Sequence, residues 1–220
     1  MKPLRTRTLL ICNGEAPGAA LLRRLAARAS LVVAADGGAN AALRAGVRPD
    51  VVIGDLDSLL PSTARRLPRA RIIRVARQDN TDLEKALDFI AAEAPSRVMI
   101  AGATGGRVDF TIGNLSVLWN YTERLPITLA GDTWRAMPVG RRRIERARRG
   151  VMVSLLPFGD CAGITLRGLK YGLRDASMRL GEIGVHNVVA SSPFSVAVRR
   201  GAMLMMIFDG ARGGRAWPPW

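Results

Sequence analysis

The sequence has few of the residues on which several common kinds of site depend. Its 220 residues include two cysteines and one histidine. Cys12 and Cys161 lie far apart, with no C-x-x-C spacing and no histidine beside them, which argues against a disulfide framework or a structural zinc site. A Ser-His-Asp triad would depend on His186 alone, and a single histidine in a β segment is usually structural.

Long apolar runs are also missing. The apolar runs at 98–103 and 202–208 are much shorter than the roughly 20 residues that a membrane-spanning helix needs. The apolar stretch at 9–12 is too short for the core of a signal peptide. We therefore expect a cytoplasmic protein that does not bind membranes.

Lysine is scarce, and basic charge is carried almost entirely by arginine. Only three of the 33 basic residues are lysines, in a chain of net charge +15. None of the lysines follows a glycine, so the P-loop motif is absent, and no G-x-G-x-x-G occurs either.

The densest arginine cluster, at 141–149, lacks the interleaved aromatic residues of many nucleic-acid sites, and such clusters more often form a solvated surface. Nucleic-acid binding through this cluster is the alternative from another functional class.

The first 130 residues alternate between short apolar runs and amphipathic segments. Continuous apolar strands that alternate with helices are typical of a largely parallel sheet covered on both faces. Ligands bind such sheets at the carboxyl ends of the strands. The expected strands are 8–12, 31–35, 51–53, 71–75, 97–101 and 127–130. The expected helices are 18–29, 39–45, 58–67, 82–94 and 108–124.

After residue 131 the helical periodicity ends, and short apolar runs are separated by glycine and proline. This pattern predicts a smaller antiparallel β domain. We expect an α/β domain over 1–130, a linker or the start of the β region with the arginine cluster over 131–150, the β domain over 151–210 and a loose tail over 211–220. The expected strands here are 151–156, 163–166, 185–190, 194–198 and 203–208.

Carboxylates are concentrated where this topology would place a site. Nine of the 18 acidic residues lie between Asp50 and Asp109. Asp55 and Asp57 are two residues apart, which in an extended segment allows both to reach one cation. Mg²⁺ prefers oxygen ligands and often needs only one or two carboxylates plus substrate phosphates. The sequence therefore favours metal-assisted phosphoryl chemistry, although the isolated pair is equally consistent with a solvated loop.

Two further segments have both a structural and a functional interpretation. Thr81 and Glu84 have the spacing of a capping box before an apolar helical stripe, so Thr81 is first an N-cap, and Asp82 is a possible metal ligand as well. The turn 102–106 is rich in glycine and lies between a strand and a helix, where backbone N–H groups would suit a phosphate. A tight turn, however, needs glycines without any ligand.

In their order along the chain these motifs resemble the thiamine pyrophosphokinase family. The resemblance extends over about residues 9–208. The N-terminal motifs are Asp36-Gly37-Gly38-Ala39-Asn40, Gly54-Asp55-Leu56-Asp57-Ser58, Gln78-Asp79-Asn80-Thr81-Asp82 and Gly105-Gly106-Arg107-Val108-Asp109. The C-terminal motifs are Leu155-Leu156-Pro157-Phe158-Gly159, Gly168-Leu169-Lys170-Tyr171 and Gly184-Val185-His186-Asn187.

The resemblance implies a Mg²⁺-dependent transfer of a pyrophosphoryl group from ATP to the hydroxyl of thiamine, giving thiamine diphosphate and AMP. It also implies an α/β nucleotide-binding domain followed by a β-sandwich domain, and a homodimer with thiamine at the subunit interface. The implied catalytic residues are Asp55, Asp57, Asp82 and Asp109, of which the first three would bind the metal. The implied nucleotide-binding residues are Asp36, Gly37, Gly38, Asn40, Gly105, Gly106 and Arg107. The implied substrate-binding residues are Gln78, Thr81, Asp109, His186 and Asn187.

Two positions depart from the family pattern. Phe110 stands where a histidine is frequent, and His186 stands where a serine is usual. Both departures leave the carboxylates of the expected metal site intact. They concern the affinity for the acceptor alcohol and its identity. The alternatives are a related metal-dependent nucleotide hydrolase or a pyrophosphokinase that uses another alcohol.

Overall fold

The computed structural model describes residues 6–77, 79–182 and 184–209. The chain divides into two compact units between Asp132 and Thr133. Gln78, an expected substrate-binding residue, and the tail at 211–220 lie outside the described residues. Among the described residues, no helix is long and apolar enough to cross a membrane.

The first unit contains a six-stranded parallel sheet with the order β6-β5-β1-β2-β3-β4. Its strands are β1 (Arg7–Ile11), β2 (Leu31–Ala35), β3 (Val51–Gly54), β4 (Arg71–Arg74), β5 (Arg97–Ala101) and β6 (Ile127–Ala130). Its helices are α1 (Ala19–Ala26), α2 (Gly38–Arg44), α3 (Pro61–Arg65), α4 (Asp82–Ala92) and α5 (Val108–Val117), followed by a 3₁₀ turn at Leu118–Tyr121.

Burial explains why these segments form strands and helices. Leu9, Leu10 and Ile100 on the central strands are fully buried, as continuous apolar strands in a parallel sheet require. Helix α4 buries Leu87 and Ile90, which lie on the apolar stripe predicted for that segment. The predicted parallel α/β sheet is therefore confirmed.

The second unit is built from two four-stranded antiparallel sheets. One has the order β12-β9-β14-β7 and the other β11-β10-β13-β8. The strands are β7 (Arg135–Val139), β8 (Arg142–Glu145), β9 (Met152–Pro157), β10 (Cys161–Arg167), β11 (Leu173–Met178), β12 (Gly184–Val188), β13 (Phe194–Ala197) and β14 (Met203–Phe208).

The two sheets of the second unit share one apolar core. Met137 and Leu155 from one sheet pack in the same buried cluster as Ile164 and Phe194 from the other. A core formed by the inner faces of two antiparallel sheets is that of a β-sandwich. The predicted fold class, an α/β domain followed by a smaller antiparallel β-sandwich, is thus confirmed.

A buried arginine links three segments of the second unit. Arg135, at the start of β7, donates to Asp209 at 3.1 Å and to Glu145 at 2.7 Å. It also donates to the backbone oxygen of Arg146 at 3.0 Å. Its side chain is 10% exposed, and that of Asp209 is 8% exposed, so this charge network lies in the interior.

We expect Arg135→Met to lower the free energy of unfolding by about 3 kcal/mol, because two carboxylates would lose their buried cation. The matched control is Arg199→Met. Arg199 pairs with Asp175 at 3.0 Å, but the two side chains are 71% and 63% exposed, so we expect a loss below about 1 kcal/mol. Urea unfolding of the two variants measures the difference, and equal losses would contradict a structural role for the Arg135 network.

Candidate functional site

Five loops of the first unit leave the sheet at its carboxyl edge and lead to a helix, after β1, β2, β3, β4 and β5. Strands β1 and β5 are neighbours, and the chain runs outward from them in opposite directions. Such a reversal of strand order is where open α/β sheets bind ligands. The motif at 36–40 directly follows β2, and the motif at 54–58 begins on the last residue of β3. The motif at 105–109 lies after β5 and runs into α5, and the motif at 78–82 lies after β4 and ends on the first residue of α4.

Asp36 follows β2 and is held in an unusual backbone conformation. Its φ is 43°, in the left-handed region, and the residue is only 2% exposed. Its Oδ2 accepts a hydrogen bond from the Ser58 backbone at 3.1 Å, whereas its Oδ1 is buried without a hydrogen-bond partner among the described residues. Burial raises the pKa of Asp36, although hydrogen bonds from Ser58 oppose this. A buried carboxylate oxygen with no donor is suited to a cation.

Three carboxylates converge at this position. Ligand oxygens of Asp36, Asp55 and Asp57 lie within 4.8 Å of one another. Two oxygens on one Mg²⁺ are at most about 4.2 Å apart, twice the metal–oxygen distance, so a small closure of the group would let one ion contact all three. The resemblance implied Asp55, Asp57 and Asp82 as ligands and Asp36 as a nucleotide contact. The geometry groups Asp36 with Asp55 and Asp57.

Gly54 permits this convergence. A Cβ atom at Gly54 would lie 2.9 Å from Cβ of Asp36 and 3.0 Å from Oδ1 of Asp82, closer than non-bonded atoms come. Gly38 lies against the end of β1, because its Cβ would lie 2.1 Å from the backbone oxygen of Ile11. Packing therefore requires glycine at both positions, independently of any contact with a nucleotide.

Asp82 lies beside the three carboxylates, paired with a buried lysine. Lys85 is 3% exposed and lies 2.9 Å from Oδ1 of Asp82 and 3.6 Å from Oδ2 of Asp55. Burial lowers the pKa of Lys85, but the hydrogen bond and charge of Asp82, with those of Asp55, outweigh it and leave the pKa raised. The ammonium group therefore remains charged and links the loop after β3 to α4. Asp82 also accepts a hydrogen bond from the Asp55 backbone at 3.3 Å.

Asn40 positions the loop that carries Asp55 and Asp57. Its Nδ2 donates to the backbone oxygen of Ser58 at 2.8 Å, and its Oδ1 accepts from the backbone of Leu60 at 3.2 Å. Both ends of this buried amide are thus used within the protein. Asn40 shapes the site through the loop, in addition to any contact with a nucleotide.

The loops after β1 and β5 are joined by backbone hydrogen bonds. Gly14 donates to the oxygen of Gly102 at 2.8 Å, and Glu15 donates to the oxygen of Thr104 at 2.8 Å. The side chain of Asn114 on α5 donates to the oxygen of Ala103 at 2.8 Å. The glycine-rich turn is thereby held at the start of α5.

The predicted capping box at the start of α4 is confirmed. Oγ1 of Thr81 accepts from the backbone of Glu84 at 3.3 Å, and the carboxylate of Glu84 accepts from the backbone of Thr81 at 2.9 Å. Asp79, just before it, is exposed and pairs with Arg77 at 3.0 Å. The hydroxyl of Thr81 is therefore already engaged within the helix cap.

Arg107, Asp109 and Phe110 form an exposed group at the start of α5. Nε of Arg107 donates to Oδ1 of Asp109 at 3.1 Å, and Nη2 donates to the other oxygen. The guanidinium also lies over the Phe110 ring, 4.6 Å from its centroid. The hydrogen bonds from Arg107 lower the pKa of Asp109. This carboxylate is ionised near neutral pH and is a weak base.

In the second unit, Asn187 fixes the backbone of Tyr171. The buried amide donates to the oxygen of Tyr171 at 2.8 Å and accepts from its nitrogen at 3.0 Å. His186 precedes it at a shift in the β9–β12 register, with φ of 62° and an exposed side chain. A left-handed φ is tolerated at a β-bulge, where it turns one side chain out of the regular alternation.

A cavity of about 360 Å³ opens in the second unit beside these residues. Apolar residues such as Leu155, Leu166 and Met178 line it, together with Tyr171, Glu182 and Asn187. An apolar cavity with a few polar groups is the usual form of a small-molecule site.

Sequence reasoning did not identify Lys85, Tyr171 or Glu182 as site residues. For Lys85 a signal was available, since it is one of only three lysines in the chain and follows Asp82 by three residues on a helix. The positions of Tyr171 and Glu182 depend on the pairing of β9, β10, β11 and β12, which local sequence does not specify.

Comparison with known proteins agrees with both units. The family model described as "Thiamin pyrophosphokinase, catalytic domain" matches residues 22–129. The model described as "Thiamin pyrophosphokinase, vitamin B1 binding domain" matches residues 141–203. The first range holds the carboxylate group and the second holds the cavity.

Curated relatives and solved structures give the same result. A thiamine pyrophosphokinase of Bacillus subtilis is 29% identical over 80% of this chain and 86% of its own length. Thiamine pyrophosphokinase 1 of Oryza sativa is 32% identical over 74% of this chain and 73% of its own length. The crystal structure of the Bacillus subtilis enzyme has the same fold, with a TM-score of 0.81 and 24% identity over 94% of this chain and all of the other. The carboxylate site, the two matched domains and the curated relatives together show that this chain belongs to the thiamine pyrophosphokinase family.

Proposed function

We propose that this protein transfers the pyrophosphoryl group of ATP to the hydroxyl of thiamine, giving thiamine diphosphate and AMP, and that it requires Mg²⁺. The observation that carries the proposal is the convergence of Asp36, Asp55 and Asp57 at the carboxyl edge of the sheet, in a member of this family. Carboxylates at this density repel a free triphosphate, so a cation is needed between them.

The residues present fit a hard divalent cation. Asp55 and Asp57 would bind the cation. The third ligand would be Asp36, whose buried Oδ1 has no donor among the described residues, or Asp82, as the resemblance to the family implies. Bound Mg²⁺ would neutralise charge on the phosphate oxygens. Lys85 would keep Asp82 and Asp55 in place as the substrate phosphates arrive.

The protein groups around the phosphates would orient the displacement. The acceptor oxygen forms a bond to the β-phosphorus, the bond from that phosphorus to the α,β-bridging oxygen breaks, and AMP leaves. The turn 102–106 and Arg107 would hold phosphate oxygens through N–H donors. Asp109 would accept a hydrogen bond from the acceptor hydroxyl and take its proton late, since a loose transition state needs little help from a base.

Thiamine would occupy the cavity of the second unit. Its thiazolium ring is a cation and its aminopyrimidine is a flat polar ring, so an aromatic face and a carboxylate suit it. Tyr171 and Glu182 offer these groups, and the Tyr171 ring already has the ammonium of Lys170 at 5.3 Å from its centroid. Asn187 would act by holding Tyr171, and the exposed His186 would hydrogen-bond to the ligand from the rim. Gln78 and Thr81 would lie nearer the transferred group.

We expect Tyr171→Ala to raise the KM for thiamine by about tenfold and to change kcat by less than about threefold, because stacking contributes equally to ground and transition states. Tyr171→Phe keeps the ring and should behave as the wild type. Steady-state kinetics with thiamine varied at saturating ATP provides the measurement. An unchanged KM in Tyr171→Ala would place thiamine elsewhere.

We further propose a homodimer with thiamine at the subunit interface. Helix α5 buries none of its residues in the described chain, and Val108, Phe110 and Ile112 are 71%, 52% and 58% exposed. Val108 and Ile112 share one side of the helix, and Phe110 lies on another. Apolar side chains exposed around a helix in this way are typical of a protein–protein contact. Sedimentation equilibrium would give the mass in solution, and a monomer at micromolar concentration would contradict the proposal.

The reaction itself is tested by AMP release from ATP and Mg²⁺, with and without thiamine, and by mass spectrometry of the product. AMP release that depends on thiamine and yields thiamine diphosphate would support the proposal. ATP turnover without that product would indicate another alcohol acceptor or a nucleotide hydrolase. No turnover, with salt-sensitive RNA binding through 141–149, would favour the nucleic-acid alternative.

A further inference from the structure

Glu15 lies on the glycine-rich turn of the nucleotide site. Its backbone is held by the hydrogen bond to Thr104, and its side chain covers Gly105 so closely that a Cβ atom on Gly105 would lie 2.5 Å from its Cγ and Cδ. Oε1 of Glu15 accepts a hydrogen bond from the backbone nitrogen of Gly106 at 3.3 Å. A carboxylate thus occupies one of the N–H donors that the turn would offer to a phosphate.

Among the residues that the structure describes, no side chain neutralises the charge of Glu15. It forms no ion pair with any residue over 6–77, 79–182 and 184–209, although the chain has 15 more basic than acidic residues. Glu15 is exposed, so its side chain can leave the turn without disturbing the core. The hydrogen bond that its carboxylate accepts comes from the turn itself.

We propose that Glu15 determines which polyphosphates the site accepts, an inference that rests on the proposed function. The carboxylate of Glu15 occupies the position at the Gly106 nitrogen that a phosphate oxygen would take. An incoming phosphate must displace this carboxylate and lie beside its negative charge. Repulsion between like charges is strongest for a polyphosphate with no bound metal and weaker for one whose charge Mg²⁺ has partly neutralised. Glu15 therefore favours the magnesium complex of the nucleotide over the free anion.

The test is calorimetric titration with ATP and with inorganic tripolyphosphate, each with and without Mg²⁺. Glu15→Gln keeps the shape and the acceptor oxygen but removes the charge. We expect this variant to bind metal-free tripolyphosphate about tenfold more tightly than the wild type, and the magnesium complex only about twofold more tightly. The matched control is Glu123→Gln, an exposed carboxylate before β6 at the opposite edge of the sheet, which should leave both affinities unchanged.

The outcomes separate this inference from the function on which it rests. Equal affinities of the wild type and Glu15→Gln for metal-free tripolyphosphate, with ATP and Mg²⁺ still bound, would overturn the role of Glu15 and leave the proposed function intact. The same gain in Glu123→Gln would also overturn it, since net charge alone would then explain the effect. If neither the wild type nor Glu15→Gln bound ATP with Mg²⁺, the proposed function would fall and the inference with it.

Discussion

Asp57→Ala is expected to lower kcat for AMP formation by about a thousandfold while leaving the fold unchanged. Asp57 is exposed, and its contacts are local, with the hydroxyl of Ser58 at 2.9 Å and Oδ1 of Asp55 at 3.3 Å from its backbone nitrogen. Its removal therefore costs little packing. It would remove one of three converging carboxylates, and with it much of the charge that holds a cation against the phosphates.

The dependence of the rate on Mg²⁺ concentration distinguishes a metal ligand from a residue that only supports the loop. The apparent Mg²⁺ concentration for half-maximal rate should rise at least tenfold in Asp57→Asn, which keeps the shape and loses the charge. Glu93→Ala is the matched control, because Glu93 is an exposed carboxylate of the same unit, beyond the last turn of α4. Activity assays at increasing Mg²⁺, with circular dichroism to check folding, give both quantities. A turnover in Asp57→Ala equal to that of the wild type would contradict the assignment of Asp57 as a metal ligand.

The sequence predicts most of the first unit because its central strands, β1, β2 and β5, carry continuous apolar runs. The expected strand at 97–101 coincides with β5, and the capping box places the start of α4 at Asp82, as observed. The expected helix at 108–124 is too long, since α5 ends at Val117 and a 3₁₀ turn follows. Its apolar residues continue past that point, so hydrophobicity alone could not indicate the change of helix type.

The second unit was less predictable than the first. Strands β7 and β8 lie in the segment expected to be a linker or the start of the β region, and β11 had no predicted counterpart. In β8 the outward side chains include Ile144, 59% exposed, while Glu145 points toward the buried Arg135. The usual alternation of apolar inside and polar outside is thus inverted, and period-two patterning cannot identify such a strand.

Local motifs located the site's carboxylates but not the contacts that organise them. The position of Asp36 beside Asp55 and Asp57 follows from the adjacency of β2 and β3, which brings it to Ser58, 22 residues away. The contact between Asn187 and Tyr171 and that between Glu15 and Gly106 span 16 and 91 residues. Contacts at such separations are set by the tertiary fold, so they cannot be inferred from the spacing of residues in a motif.

Lys85→Met is expected to lower both stability and activity, because it leaves the carboxylates of Asp82 and Asp55 without their cation. Removing one partner of a fully buried ion pair costs about 3–5 kcal/mol. Here the two carboxylates are 29% and 23% exposed, so water would offset part of the loss, and we expect the free energy of unfolding to fall by about 2 kcal/mol. The rate of AMP formation should fall by about a hundredfold, since the loop that carries Asp55 would shift from α4.

A double variant separates the electrostatic cause from loss of packing. In Lys85→Met/Asp82→Asn the carboxylate that faces the missing ammonium is also removed, so we expect most of the stability to return while activity stays low. Arg97→Met, an exposed cation at the start of β5, controls for the general effect of removing positive charge. Urea unfolding and AMP release measured on the same preparations give the two quantities. If the double variant were no more stable than Lys85→Met, the lysine would stabilise the unit through its aliphatic chain. Its charge would then not be what holds Asp55 beside Asp36 and Asp57.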